Sequence, residues 1–137
     1  MKIQIGFVRF IVCALGALAV NAICAQDIDS MPPVVVKTIP EAGRTNVSPG
    51  VAEIRVTFSK EMKDGSWSWA TAWQGSHAEV VEKPRYESDQ KTCVLKVKLE
   101  PNRTYGYWLN SPKHTHFKDK QGFAAVPYLL AFQTGEN

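Results

Sequence analysis

Leu99-Glu100-Pro101-Asn102-Arg103-Thr104-Tyr105 is the stretch that decides the fold. It reads as a turn running into a strand, with a Leu, a Pro two residues on and a Tyr four after that. This spacing is the tyrosine corner of two-sheet antiparallel sandwiches, where the Tyr hydroxyl bonds backbone just upstream and the ring joins the core. From the corner onward, Tyr105, Tyr107 and Leu109 alternate with Gly106, Trp108 and Asn110. Period two puts the first set inward and leaves Trp108 on the opposite face. A second aromatic strand, Tyr128-Leu129-Leu130-Ala131-Phe132, follows near the end of the chain.

Working back from the corner, residues 92–99 form a strand with Cys93, Leu95, Val97 and Leu99 on its inward face. Residues 52–59 form another, with Ile54, Val56 and Phe58 facing one way and Glu53, Arg55 and Thr57 the other. Further strands are expected at 33–38, 66–73, 78–82, 104–110 and 127–134, with Pro84 marking an edge or a break. In 66–73 the spacing puts Trp67, Trp69 and Trp73 on a single face. Asn46-Val47-Ser48-Pro49-Gly50, Lys63-Asp64-Gly65 and Glu87-Ser88-Asp89-Gln90 are turns. Residues 111–126 are a long polar connection. There is no amphipathic helix, internal repeat or low-complexity tract. About seven short strands at this spacing predict an all-β protein, a single antiparallel β-sandwich of the Ig-like type.

The first 25 residues read differently. Lys2 and Arg9 bracket a stretch without acids, residues 10–20 are apolar, and small residues surround a cleavage point at 22–25. That is the layout of a secretory signal peptide, and the apolar run is short for a stable membrane span. A lipidated form would use Cys24, although Asn21 and Ile23 suit that signal poorly. The expected domain is therefore 26–137, with its core in 32–134, and a secreted, periplasmic or cell-surface location. Without Lys2 and Arg9, 14 basic residues stand against 13 acidic ones, a charge of +1. So nearly neutral a domain has no electrostatic footprint for nucleic acid. Cys13 and Cys24 leave with the same segment, so Cys93 has no disulfide partner and reads as a buried thiol.

The order of several motifs resembles a known family. Pro33-Val34-Val35, then Ile39-Pro40-Glu41-Ala42-Gly43-Arg44-Thr45-Asn46-Val47-Ser48-Pro49, then Ile54-Arg55-Val56-Thr57-Phe58-Ser59-Lys60-Glu61-Met62 is similar to the bacterial Ig-like domains of S-layer proteins. The Tyr105 strand, Asp119-Lys120-Gln121-Gly122 and Phe132-Gln133-Thr134 extend the likeness over 32–134. One subgroup is similar also in Asp64-Gly65-Ser66-Trp67-Ser68-Trp69, Leu109-Asn110-Ser111-Pro112 and Pro127-Tyr128. The resemblance implies an Ig-like sandwich outside the cytoplasm, with no catalytic residues and no cofactor. Such domains serve as spacers, adhesion modules or docking surfaces. Here a single domain follows the signal segment, which favours binding an envelope protein or glycan in trans.

Two constellations are candidates for that binding. The first is aromatic: Trp73 and Trp108, with Trp69 and Tyr107. Planar rings on a sheet face stack on sugars or anchor protein interfaces. The plainer role for some of them is the core of the sandwich. The second is His114-Thr115-His116, two imidazoles that could share a divalent metal. Thr115-His116 is similar to the late Thr-His of the periplasmic copper-resistance C proteins, and the resemblance implies a copper(II) carrier as one alternative function; a purely structural module is the other. Those proteins also use an N-terminal His, where this domain is expected to begin near Gln26. Catalysis is not expected: His77, His114 and His116 have no strained nucleophile turn or phosphate loop beside them. Asn46-Val47-Ser48 and Asn102-Arg103-Thr104 match a glycosylation sequon, at turns where Asn is favoured anyway.

Overall fold

The computed structural model describes residues 26–137; the expected signal segment lies outside the described residues. Ile28–Ser30 form one turn of 3-10 helix, and residues 31–137 are a separate compact unit. That unit has seven strands: β1 (Val35–Ile39), β2 (Gly50–Phe58), β3 (Trp69–Thr71), β4 (Glu79–Tyr86), β5 (Thr92–Leu99), β6 (Thr104–Leu109) and β7 (Tyr128–Gln133). They make two antiparallel sheets, ordered β1-β2-β5-β4 and β3-β6-β7. The expected Ig-like sandwich is present.

The core follows the period-two reading. Ile54, Val56 and Phe58 of β2 and Cys93, Leu95, Val97 and Leu99 of β5 line the larger sheet, with Val56 opposite Cys93 and Ile54 opposite Leu95. Tyr105, Tyr107 and Leu109 of β6 and Leu130 and Phe132 of β7 answer them from the smaller sheet. Phe117, from the long connection, packs on Phe58 with ring centroids 4.9 Å apart. The outer face of the larger sheet is charged. Arg55 reaches Glu87 at 2.6 Å and Glu53 at 3.0 Å, and Arg85 joins Glu53 at 3.0 Å. These partly exposed pairs satisfy one another and contribute little stability each.

The tyrosine corner forms as expected. The Glu100 amide donates to the Tyr105 hydroxyl at 2.7 Å, and the ring is buried. Thr134 completes the corner: its hydroxyl donates to the Glu100 carbonyl at 2.6 Å and accepts from the Arg103 amide at 2.9 Å. Tyr105→Phe keeps the ring and strips the Glu100 amide of its acceptor. It is expected to cost about 1–2 kcal/mol in urea unfolding, with an unchanged m-value.

Two strands depart from expectation. β4 runs on to Tyr86 instead of ending near Glu82, because its pairing with β5 survives two register shifts around Pro84. As expected from Pro84, it is an edge strand. β3 is only three residues long. The chain turns at 63–66, where the Ser66 amide bonds the Lys63 carbonyl, and it leaves the sheet at Ala72, whose amide is captured by the Ser76 hydroxyl. The single tryptophan face over 66–73 therefore does not exist.

Candidate binding face and edge cleft

The outer face of the smaller sheet follows from its register. Ala70 pairs with Trp108, and Trp108 with Leu129, so the three side chains form one cross-strand row. The next row is Gly106 opposite Ala131. Gly106 has no side chain for a reason: a Cβ there would fall 2.4 Å from two atoms of the Trp73 ring. The chain that left β3 at Ala72 thus folds back and lays Trp73 on the sheet beside Trp108. Thr104 and Gln133 pair at the far end of the face. None of these positions carries a charge. Trp73 is 42% exposed and Leu129 41%, while Trp108, Ala70 and Ala131 are half-buried.

Other aromatic candidates lie elsewhere. Tyr107 is 1% exposed, its hydroxyl accepts from the Ala78 amide at 3.0 Å, and its ring belongs to the core. Burial pushes the Tyr107 hydroxyl's pKa up. Trp69 stands edge-on to Tyr107 and Phe117, both at 5.7 Å between centroids. Its indole N–H is buried beside the Cys93 thiol, which burial pushes up to about 12. Trp67 leans on Tyr86 across the open side of the sandwich, at 6.4 Å. So the fold brings together Trp73 and Trp108 and sets Trp69 and Tyr107 apart from them. Gly106, Leu129 and Ala131 complete the face. The alternation around Trp108 in the sequence already carried that signal.

The histidines are rearranged in the same way. His114 and His116 are both exposed on the long connection. His114 closes a tight turn with Ser111 through two backbone bonds of 2.8 and 3.1 Å, and the His116 carbonyl accepts from the Ser66 hydroxyl. His77 lies flat on Tyr107, 5.2 Å between centroids, with its Nε2 3.0 Å from the Thr71 hydroxyl. A cleft of about 410 Å3 is lined by His77 and His114 together with Ser68, Trp69, Ala70, Thr71 and Ser111. The fold thus sets His114 in a cleft with His77, a residue distant in sequence. Among the described residues, no three His, Cys, Asp or Glu side chains gather as a metal site.

The model of a family described as bacterial Ig-like domain matches residues 29–134. The chain belongs to the bacterial Ig-like domain family. Among solved structures, this Ig-like domain is similar to CopC from Methylosinus trichosporium OB3b. The identity is 16%, the TM-score 0.57, and the likeness covers 77% of this chain and 95% of that one. At such identity the likeness is one of fold. No curated protein matches the chain.

Proposed function

We propose that this Ig-like domain is a non-catalytic binding module of the bacterial envelope. It grips a protein or glycan in trans with the outer face of the β3-β6-β7 sheet. One observation carries the reading: two tryptophans and a leucine stand together on an uncharged sheet face, two of them about two-fifths exposed. The outer face of the other sheet is charged and satisfies itself. An apolar patch without a covering element marks an interaction site more often than chance exposure does. Trp anchors at a patch centre dominate binding energy. Membership of a bacterial Ig-like family, the likeness to S-layer domains and the signal-like segment at 1–25 support an extracytoplasmic place.

The test is co-sedimentation of the protein with purified sacculi and with envelope membranes, compared with Trp73→Ala and Trp108→Ala. Each substitution is expected to weaken retention by about thirtyfold, the equivalent of roughly 2 kcal/mol, with the fold unchanged by circular dichroism. Retention that neither substitution alters would remove the face from the account.

A further inference from the structure

We propose that the free edge of β3 is a second docking site, which takes an extended peptide as an added strand of the smaller sheet. β3 pairs only with β6, so no strand pairs with its other edge. The Asn110 amide donates to the Ser68 carbonyl. Bonded and non-bonded pairs alternate along an antiparallel ladder, so the next bonded pair is Ala70 with Trp108. The N–H and C=O groups of Trp69 and Thr71 therefore point away from β6.

The free edge borders the cleft of about 410 Å3, which the four consecutive residues 68–71 line together with His77, whose ring nitrogen meets the Thr71 hydroxyl. A wall of consecutive strand residues presents main chain rather than one side-chain face. A second pocket of about 240 Å3 adjoins it, sharing Trp69 and His77. Its other walls are Trp67, Val80, Pro84 and Leu95, with Tyr107 and Ala78 behind. The two parts match the needs of strand addition. Main-chain groups bind the peptide backbone, and the apolar pocket takes one side chain that points inward. The chemistry is that of a peptide with a single large apolar residue between polar ones.

The remaining edges are less suited. Residues 43–47 cover the β7 edge, through backbone bonds from Gly43 to Ala131, Gln133 to Arg44 and Val47 to Gln133. β4 is broken by Pro84 and two register shifts, a common protection of edges. β1 is interrupted between Val35 and Lys37 and runs into Pro40, which has no N–H.

The experiment is amide hydrogen exchange by NMR on the 15N-labelled protein, with the capped peptide Lys-Thr-Thr-Phe-Thr-Thr-Lys as probe. At saturation the Trp69 and Thr71 amides are expected to exchange about tenfold more slowly. Replacing the central Phe of the peptide with Asp should weaken binding at least about tenfold. Thr71→Pro removes one of the two N–H groups on the free edge, a change that edge strands tolerate, and should weaken binding by about tenfold. Val80→Asp charges the pocket without touching β3 and should act alike. Several results would overturn the proposal: no protection at millimolar peptide, binding indifferent to Thr71→Pro, or shifts confined to Trp73 and Trp108. Concentration-dependent dimers that Thr71→Pro abolishes, with no response to peptide, would assign the edge to a second copy instead.

Discussion

Asn110→Ala is expected to destabilise the domain by about 3–4 kcal/mol, lowering Tm by roughly 12–20 °C. Asn110 is fully buried at the end of β6, where the long connection begins. Its side-chain amide donates to the Phe117 carbonyl at 2.9 Å and the Ala125 carbonyl at 3.0 Å, and its oxygen accepts from the Phe117 amide at 2.9 Å. One side chain thus holds both limbs of the connection that delivers Phe117 to the core. Alanine leaves the Ala125 carbonyl and the Phe117 amide buried without that partner. The backbone adds strain, because Asn110 sits at φ 64, which Asn tolerates better than Ala. Asn110→Gly separates the two effects. It relieves the backbone and is expected to recover about 1 kcal/mol while still losing the hydrogen bonds. Thermal unfolding of the three proteins measures both.

The second large effect concerns Asp119. Its carboxylate is 1% exposed and lies 2.6 Å from the Lys60 ammonium, itself 10% exposed. The other carboxylate oxygen accepts from the amides of Gln121 and Phe123, each at 2.9 Å. Lys60 also bonds the Met31 carbonyl and lies 5.4 Å from the Phe123 ring centroid. Asp119→Ala removes the carboxylate that faces a nearly buried ammonium, takes the acceptor from the Gln121 and Phe123 amides, and is expected to cost about 3–5 kcal/mol. Burial alone would raise the Asp119 pKa; the Lys60 ammonium and the two amides outweigh it and hold the group below the usual carboxylate range. A depressed folded-state pKa contributes stability that is full above the unfolded value of about 4 and is lost as pH falls through the folded value. Unfolding free energy of the native protein should therefore fall as pH drops below about 4, and Asp119→Asn should flatten that slope. An unchanged slope would mean that other carboxylates govern acid unfolding.

What was legible in the sequence was local. The corner at 99–105 and the strand at 92–99 are set by spacing within a few residues, and both appear where the pattern put them. Trp108 facing out is the same kind of inference. The tryptophan strand failed because period two holds only while the chain stays in the sheet. Ser76, four residues on, takes the Ala72 amide and turns it away. Trp73 then reaches the outer face from a loop, onto a space left by Gly106. Asn110 was no candidate because its partners lie 7 and 15 residues away, across an irregular connection. Lys60 and Asp119 stand in two separate family-like motifs, and only the fold shows that they meet. Adjacency in the chain suggests His114 with His116; that His77 shares a cleft with His114 is a tertiary feature that adjacency does not carry.

The most direct measurement is acrylamide quenching of tryptophan fluorescence in the protein, with and without purified sacculi or envelope membranes. Part of the quenching, carried by Trp73 and Trp108, is expected to be protected by envelope material, and Trp73→Phe/Trp108→Phe is expected to remove that protected part. Trp67 and Trp69, half-buried against the core, should contribute quenching that envelope material leaves unchanged. Quenching that envelope material leaves unchanged, or protection by envelope material that survives the double substitution, would contradict the assignment of the outer sheet face as the binding surface.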